Sequence, residues 1–67
     1  MNPELIKAEI RMKGSTPTRI AKELGLSKTT ISHVIRNRGV SERVARRICQ
    51  ITGITAERLW PGVYPNL

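Results

Sequence analysis

Apolar residues recur along this chain at intervals of three and four rather than two. Leu5, Ala8 and Met12 with Ile6 and Ile10 begin the series, followed by Ile20 and Leu24, by Ile31, Val34 and Ile35, by Val44, Ile48 and Ile51, and by Leu59. Such intervals stack side chains on one face of a helix, whereas a half-buried strand needs strict alternation, which no segment here sustains. The pattern predicts an all-α fold, a compact bundle of about five short helices that each turn one apolar face to a shared core. A chain of 67 residues has room for a single domain, 1–67.

Between the apolar runs stand residues suited to starting and stopping helices. A Ser, Thr or Asn side chain can accept a free N–H of the first turn, and apolar residues on either side of it can clasp each other. Asn2 before Pro3, Thr16 before Pro17, Ser27, Ser41 and Thr55 are expected to cap five helices in turn, with Met1–Ile6, Leu26–Ile31, Val40–Ala45 and Ile54–Leu59 as clasps. Gly14, Gly25 and Gly53 fall where the first, second and fourth should stop. The tail 60–67 contains Pro61 and Pro65, which forbid a regular helix, and the chain's only aromatic rings, Trp60 and Tyr64. Burying large rings is an effective way to stabilise so small a domain, so the tail is expected to fold back onto the core.

The stretch from Ile20 to Asn37, IAKELGLSKTTISHVIRN, joins two helical patterns across Gly25. A glycine there permits the positive φ of a sharp turn, and Ala21 is small enough to let the next helix approach closely. These are the requirements of a helix-turn-helix, placed here at about 17–37, whose second helix lies in the DNA major groove. At about 100° per residue, Ile31, Val34 and Ile35 share one side of that helix, and Thr29, Ser32, His33 and Arg36 share nearly the opposite one. Arg can bond a guanine edge twice, Thr can offer its methyl to thymine, and Ser and His can donate or accept at base edges. Lys28 stands at the helix start and Thr30 and Asn37 on its flank, where phosphate contact is natural.

Charge extends the same picture. Lys and Arg number 12 against five acids, all Glu, for a net charge of +7, which favours a polyanionic partner. No run of adjacent apolar residues exceeds two, so neither a membrane span nor a signal peptide is expected, and the chain is assigned to the cytoplasm, at the nucleoid. The next helix carries Arg43, Arg46, Arg47 and Gln50 on one face, preceded by Arg38 in the loop. Like charges at that spacing repel, and a phosphate backbone alongside would reverse the sign. With one His, one Cys and no Asp, no metal cluster and no acid–base pair can be composed, so neither an enzyme nor a metal, cofactor or small-molecule ligand is expected. Cys49 reads as a small core residue.

The helix-turn-helix segment TRIAKELGLSKTTISHVIRN resembles that of the lambda-repressor-like superfamily. Together with NPELIKAEIRMKGSTP before it and ITGITAERLWPGVYP after it, the chain is similar from about Pro3 to Tyr64 to the Ner family, small DNA-binding regulators of Mu-like transposable phages and their bacterial Nlp relatives. The resemblance implies a repressor of early phage transcription that binds operator DNA. By position it makes Lys28, Thr29, Ser32, His33 and Arg36 the groove residues and Trp60 a structural one. The partner expected is double-stranded DNA, bound by a dimer or by paired protomers, with Thr30, Asn37, Arg38, Arg43, Arg46 and Arg47 on phosphate. A basic RNA-binding protein or an antitoxin-like interaction module is the alternative. The first needs exposed stacking rings, and the second an apolar surface left over once the core is filled.

Overall fold

In the computed structural model, which describes residues 1–67, five helices follow one another: α1 (Pro3–Met12), α2 (Pro17–Leu24), α3 (Lys28–Ile35), α4 (Glu42–Thr52) and α5 (Ala56–Leu59). No strand is formed. All five starts use the anticipated side chain. Asn2 Oδ1 accepts from Glu4 N at 2.7 Å, Thr16 Oγ1 from Arg19 N at 3.1 Å, Ser27 Oγ from Thr30 N at 3.2 Å, Ser41 Oγ from Val44 N at 3.3 Å and Thr55 Oγ1 from Arg58 N at 3.3 Å. Each bond satisfies an N–H that the helix leaves without an internal acceptor.

The stops of α2 and α3 share one geometry. Gly25 has φ +68°, and the chain closes with Leu26 N donating to Ala21 O at 2.9 Å and Gly25 N to Lys22 O at 3.3 Å. Around Asn37, at φ +60°, Arg38 N donates to His33 O at 2.8 Å and Asn37 N to Val34 O at 3.1 Å. These paired bonds capture the last carbonyls of the helix and need a left-handed residue at the crossing point. Asn37 is the only non-glycine residue with positive φ, a role its short amide side chain tolerates better than most.

α2 and α3 form the closest pair, and α1, α4 and α5 enclose them, α4 touching all four other helices. The core consists of Ile6 and Ile10 of α1, Ile20 and Ala21 of α2, Ile31, Val34 and Ile35 of α3, Val44, Ala45 and Ile48 of α4, and Ala56, Leu59, Trp60 and Tyr64. Leu24, Leu26, Ile51 and Ile54 are half-buried at its edge. The first helix departs from expectation. Leu5, Ala8 and Met12 are exposed, Leu5 at 58% and Met12 at 73%, and only Ile6 and Ile10 face inward. Two apolar sets at helical spacing compete for the core in α1, and the branched isoleucines occupy it. Val40 is also 73% exposed and does not act as a clasp for α4.

Gly25→Val tests the turn. An added Cβ would meet no atom within 4 Å, so the whole cost is backbone strain, about 1–2 kcal/mol. Asn37→Gly should relieve the corresponding strain and add about 0.5 kcal/mol. Thermal and urea unfolding of both variants should move in opposite directions, and unchanged stability in Gly25→Val would contradict the left-handed turn.

Candidate nucleic-acid interface

The outward face of α3 is built on its inward one. Ile31, Val34 and Ile35 are at most 2% exposed and anchor the helix, which leaves Lys28, Thr29 and His33 on the surface and Ser32 half-exposed. Arg36 lies just past the last helical residue, with φ −83° and ψ 3°, close enough to helical geometry to extend the same exposed row. Thr30 is half-buried and its Oγ1 lies 3.0 Å from Ser27 Oγ, so this hydroxyl belongs to the helix cap. Asn37 and Arg38 sit in the exposed loop beyond, and Gly39 packs that loop against His33, whose Cβ would lie 3.7 Å from a Cβ at position 39.

On α4, Glu42, Arg43, Arg46, Arg47 and Gln50 share a shallow groove with Leu24, the last residue of α2. The arginine face therefore borders the turn that leads into α3. Its members differ in freedom. Arg47 donates from Nε and Nη2 to Glu23 Oε2 at 3.0 and 2.7 Å and from Nη1 to Gln50 Oε1 at 3.4 Å, a clamp between α2 and α4. Arg46 lies 3.7 Å from Glu42. The only other ion pair joins Lys7 to Glu4, so Lys28, Arg36, Arg38 and Arg43 have no acidic partner. Positive charge thus remains uncompensated along α3, the loop after it and the start of α4. Arg47, by contrast, already holds a carboxylate where a phosphate contact was expected.

Two side chains of the tail hold this surface in place, and no local pattern announces their targets. Trp60 is 3% exposed and its Nε1 donates to Ile35 O at 3.4 Å, at the end of α3. Tyr64 is 4% exposed and its hydroxyl accepts from Ser41 N at 3.2 Å, at the start of α4. The rings meet edge to face, centroids 5.4 Å apart at 67°. Both are enclosed, so His33 carries the only ring this surface offers to a base. Cys49 is half-buried, and desolvation pushes its thiol up from its ordinary value, which suits a small filler rather than a nucleophile. No three His, Cys or Glu side chains come together in a metal-binding arrangement, and no helix is long and apolar enough to cross a membrane.

A buried helix pair joined by a left-handed turn, with unpaired basic and hydrogen-bonding groups on the second helix, defines a helix-turn-helix DNA-binding domain. The whole chain, residues 1–67, matches the family model described as winged helix-turn-helix DNA-binding, and it belongs to that family. A wing is ordinarily a strand hairpin; this chain has none, and α5 and the turns of the tail follow α4. No curated protein and no solved structure gives a significant match to the chain.

Tyr64→Phe should cost about 1 kcal/mol by leaving Ser41 N–H without its acceptor. Trp60→Phe removes the indole donor and part of a buried volume and should cost about 2–4 kcal/mol. Equilibrium urea unfolding measures both, and a Trp60→Phe variant as stable as the parent would remove the tail from its anchoring role.

Proposed function

We propose that this protein is a sequence-specific binder of double-stranded DNA that regulates transcription, a phage-type repressor of the Ner kind acting at early promoters. The observation that carries this reading is the row Thr29, Ser32, His33 and Arg36, held outward by three buried residues and free of ion-pair partners. Such a row can meet base edges in the major groove, with Lys28 at its N-terminal end. Asn37, Arg38, Arg43 and the more loosely held Arg46 flank it and would take phosphates, with Thr30 and Arg47 contributing only on release from their present partners. The protein would act in the cytoplasm, at the nucleoid, without cofactor, small-molecule effector or catalysis. Burial of Trp60 and Tyr64 leaves His33 as the single exposed ring, which argues against the alternative of single-stranded RNA, bound largely by stacking on several rings.

One recognition helix reads only a few base pairs, so two protomers on neighbouring half-sites are expected. Selection from random duplexes should return a motif with inverted symmetry, and footprinting should show protection repeating at about 10 base pairs on one face. A single short footprint at one-to-one stoichiometry would exclude the paired arrangement.

Two arginines separate reading from holding. Arg36→Ala should cost about 1–3 kcal/mol on the selected site and relax the preference at one base position. Arg43→Ala should weaken selected and random duplexes alike and reduce the salt slope by about one. Binding of both variants to all single-base substitutions of the site, at two salt concentrations, measures the difference. Uniform weakening by Arg36→Ala would show that α3 does not read bases as placed.

A further inference from the structure

The outward face of α1 has no partner within the domain. Leu5, Ala8 and Met12 are exposed there at helical spacing, and Met1, 36% exposed, lies just outside the helix before its cap Asn2. At about 100° per residue this stripe is centred roughly 150° from the buried pair Ile6 and Ile10, so α1 is apolar on two nearly opposite sides. Only the inner side is covered. Contiguous apolar surface of this kind, of order 300 Å², is characteristic of an interaction site.

The residues along its edges say what fits. Glu4 in the first turn and Arg11 in the last lie on one edge of the stripe, and Glu9 lies on the other. When two such helices run antiparallel across a two-fold axis, the same edge of each faces its counterpart, with first turn opposite last. Glu4, an exposed carboxylate that also lies 3.7 Å from Lys7 of its own helix, then meets the second copy's Arg11, and Arg11 meets the second copy's Glu4. A parallel pair would instead bring Glu4 toward the second copy's Glu9, twice. Glu4, Lys7, Glu9 and Arg11 cancel, and only Lys13 just past Met12 and the Met1 ammonium, which is bonded to Leu59 O, add charge nearby, so this face offers an anionic surface little compared with the +7 of the whole chain.

We propose that the outer face of α1 joins two copies of this chain as an antiparallel helix pair, Leu5, Ala8 and Met12 packing against their equivalents and Glu4 against the second copy's Arg11. A ten-residue helix buries well below the roughly 800 Å² per partner of a stable complex. The pair is therefore weak in free solution and strengthens when neighbouring half-sites on DNA raise the effective concentration to about the millimolar range. Its use on DNA rests on the paired-protomer reading above. The contact itself does not.

The test begins without DNA. On dilution of the full chain from about 1 mM to about 20 μM, amide shifts should change in residues 4–12, and sedimentation equilibrium should report a dimer over the same range. Leu5→Gln with Met12→Gln, which keeps the net charge and replaces only exposed residues, should remove the concentration dependence while circular dichroism stays that of the parent. Glu4→Arg and Arg11→Glu should each weaken pairing about tenfold, and the two together should restore it. A strictly monomeric chain at 1 mM, shifts mapping elsewhere, or failure of the double reversal to restore pairing would each overturn the proposal. With DNA, the Gln double variant should bind a single half-site as the parent does and lose cooperativity across two, and undiminished cooperativity would likewise overturn it. A parent chain that pairs but binds no duplex would leave the α1 contact standing and remove the DNA-binding function instead.

Discussion

The placement of the exposed basic face of α3 and α4 depends on the anchoring of Trp60 and Tyr64. The indole N–H of Trp60 reaches Ile35 O, where α3 ends, and the Tyr64 hydroxyl reaches Ser41 N, where α4 begins. Between those points run Arg36 to Val40, a loop without regular structure that carries two of the unpaired arginines and the left-handed Asn37. A loop of five residues fixed at both ends by hydrogen bonds to buried rings has far fewer conformations than one fixed by its own backbone. The two rings also fill the space under α3 and α4 that a domain without Phe could otherwise fill only with aliphatic side chains.

The charge distribution follows from which arginines find carboxylates. Five glutamates cannot neutralise 12 basic residues, and the pairs that do form are with Lys7, Arg46 and Arg47. Glu23 and Arg47 tie α2 to α4 behind the turn, and that bond leaves the arginine nearest α2 facing its own protein. Of the basic residues without a carboxylate partner, Lys28, Arg36, Arg38 and Arg43 lie together on α3, the loop and the start of α4, and the others, Arg11, Lys13, Arg19, Lys22 and Arg58, lie on α1, α2, α5 and the turn after α1. Mutual repulsion among the first four costs little while they are solvated and becomes attraction beside a phosphate backbone.

α1 takes part in the core through two isoleucines and no more. Its N-terminal ammonium, on Met1, donates to Leu59 O at 2.9 Å and so ties the start of the chain to the end of α5. The opposite face remains open, with acidic and basic residues arranged so that a rotated copy of the same helix complements it. On the proposed reading, such a surface would serve DNA binding, because specificity on DNA grows with the number of recognition helices engaged together.

All five helix starts and the stop of α2 were legible in the sequence because caps are local: every bond that closes these ends spans two to five residues, and the chemistry of Asn2, Thr16, Ser27, Ser41, Thr55 and Gly25 is enough to foresee it, whereas the stop of α3 at Asn37, a residue read there only as a phosphate contact, was not. The inward faces of α3 and α4 were legible as well, since each has a single apolar side. α1 has two, and local spacing cannot choose between Ile6–Ile10 and Leu5–Ala8–Met12. That choice belongs to the shape of the space between α3 and α4. Arg47 read as one more basic side chain on an exposed face until Glu23, 24 residues away, was brought alongside it, and Val40 read as a clasp until its loop turned it to solvent. The cap and the amphipathic stripe are properties of a single turn or helix, so sequence alone determines them. Which of two faces is buried, and which cation meets which anion, is settled only when distant segments compete for the same contacts.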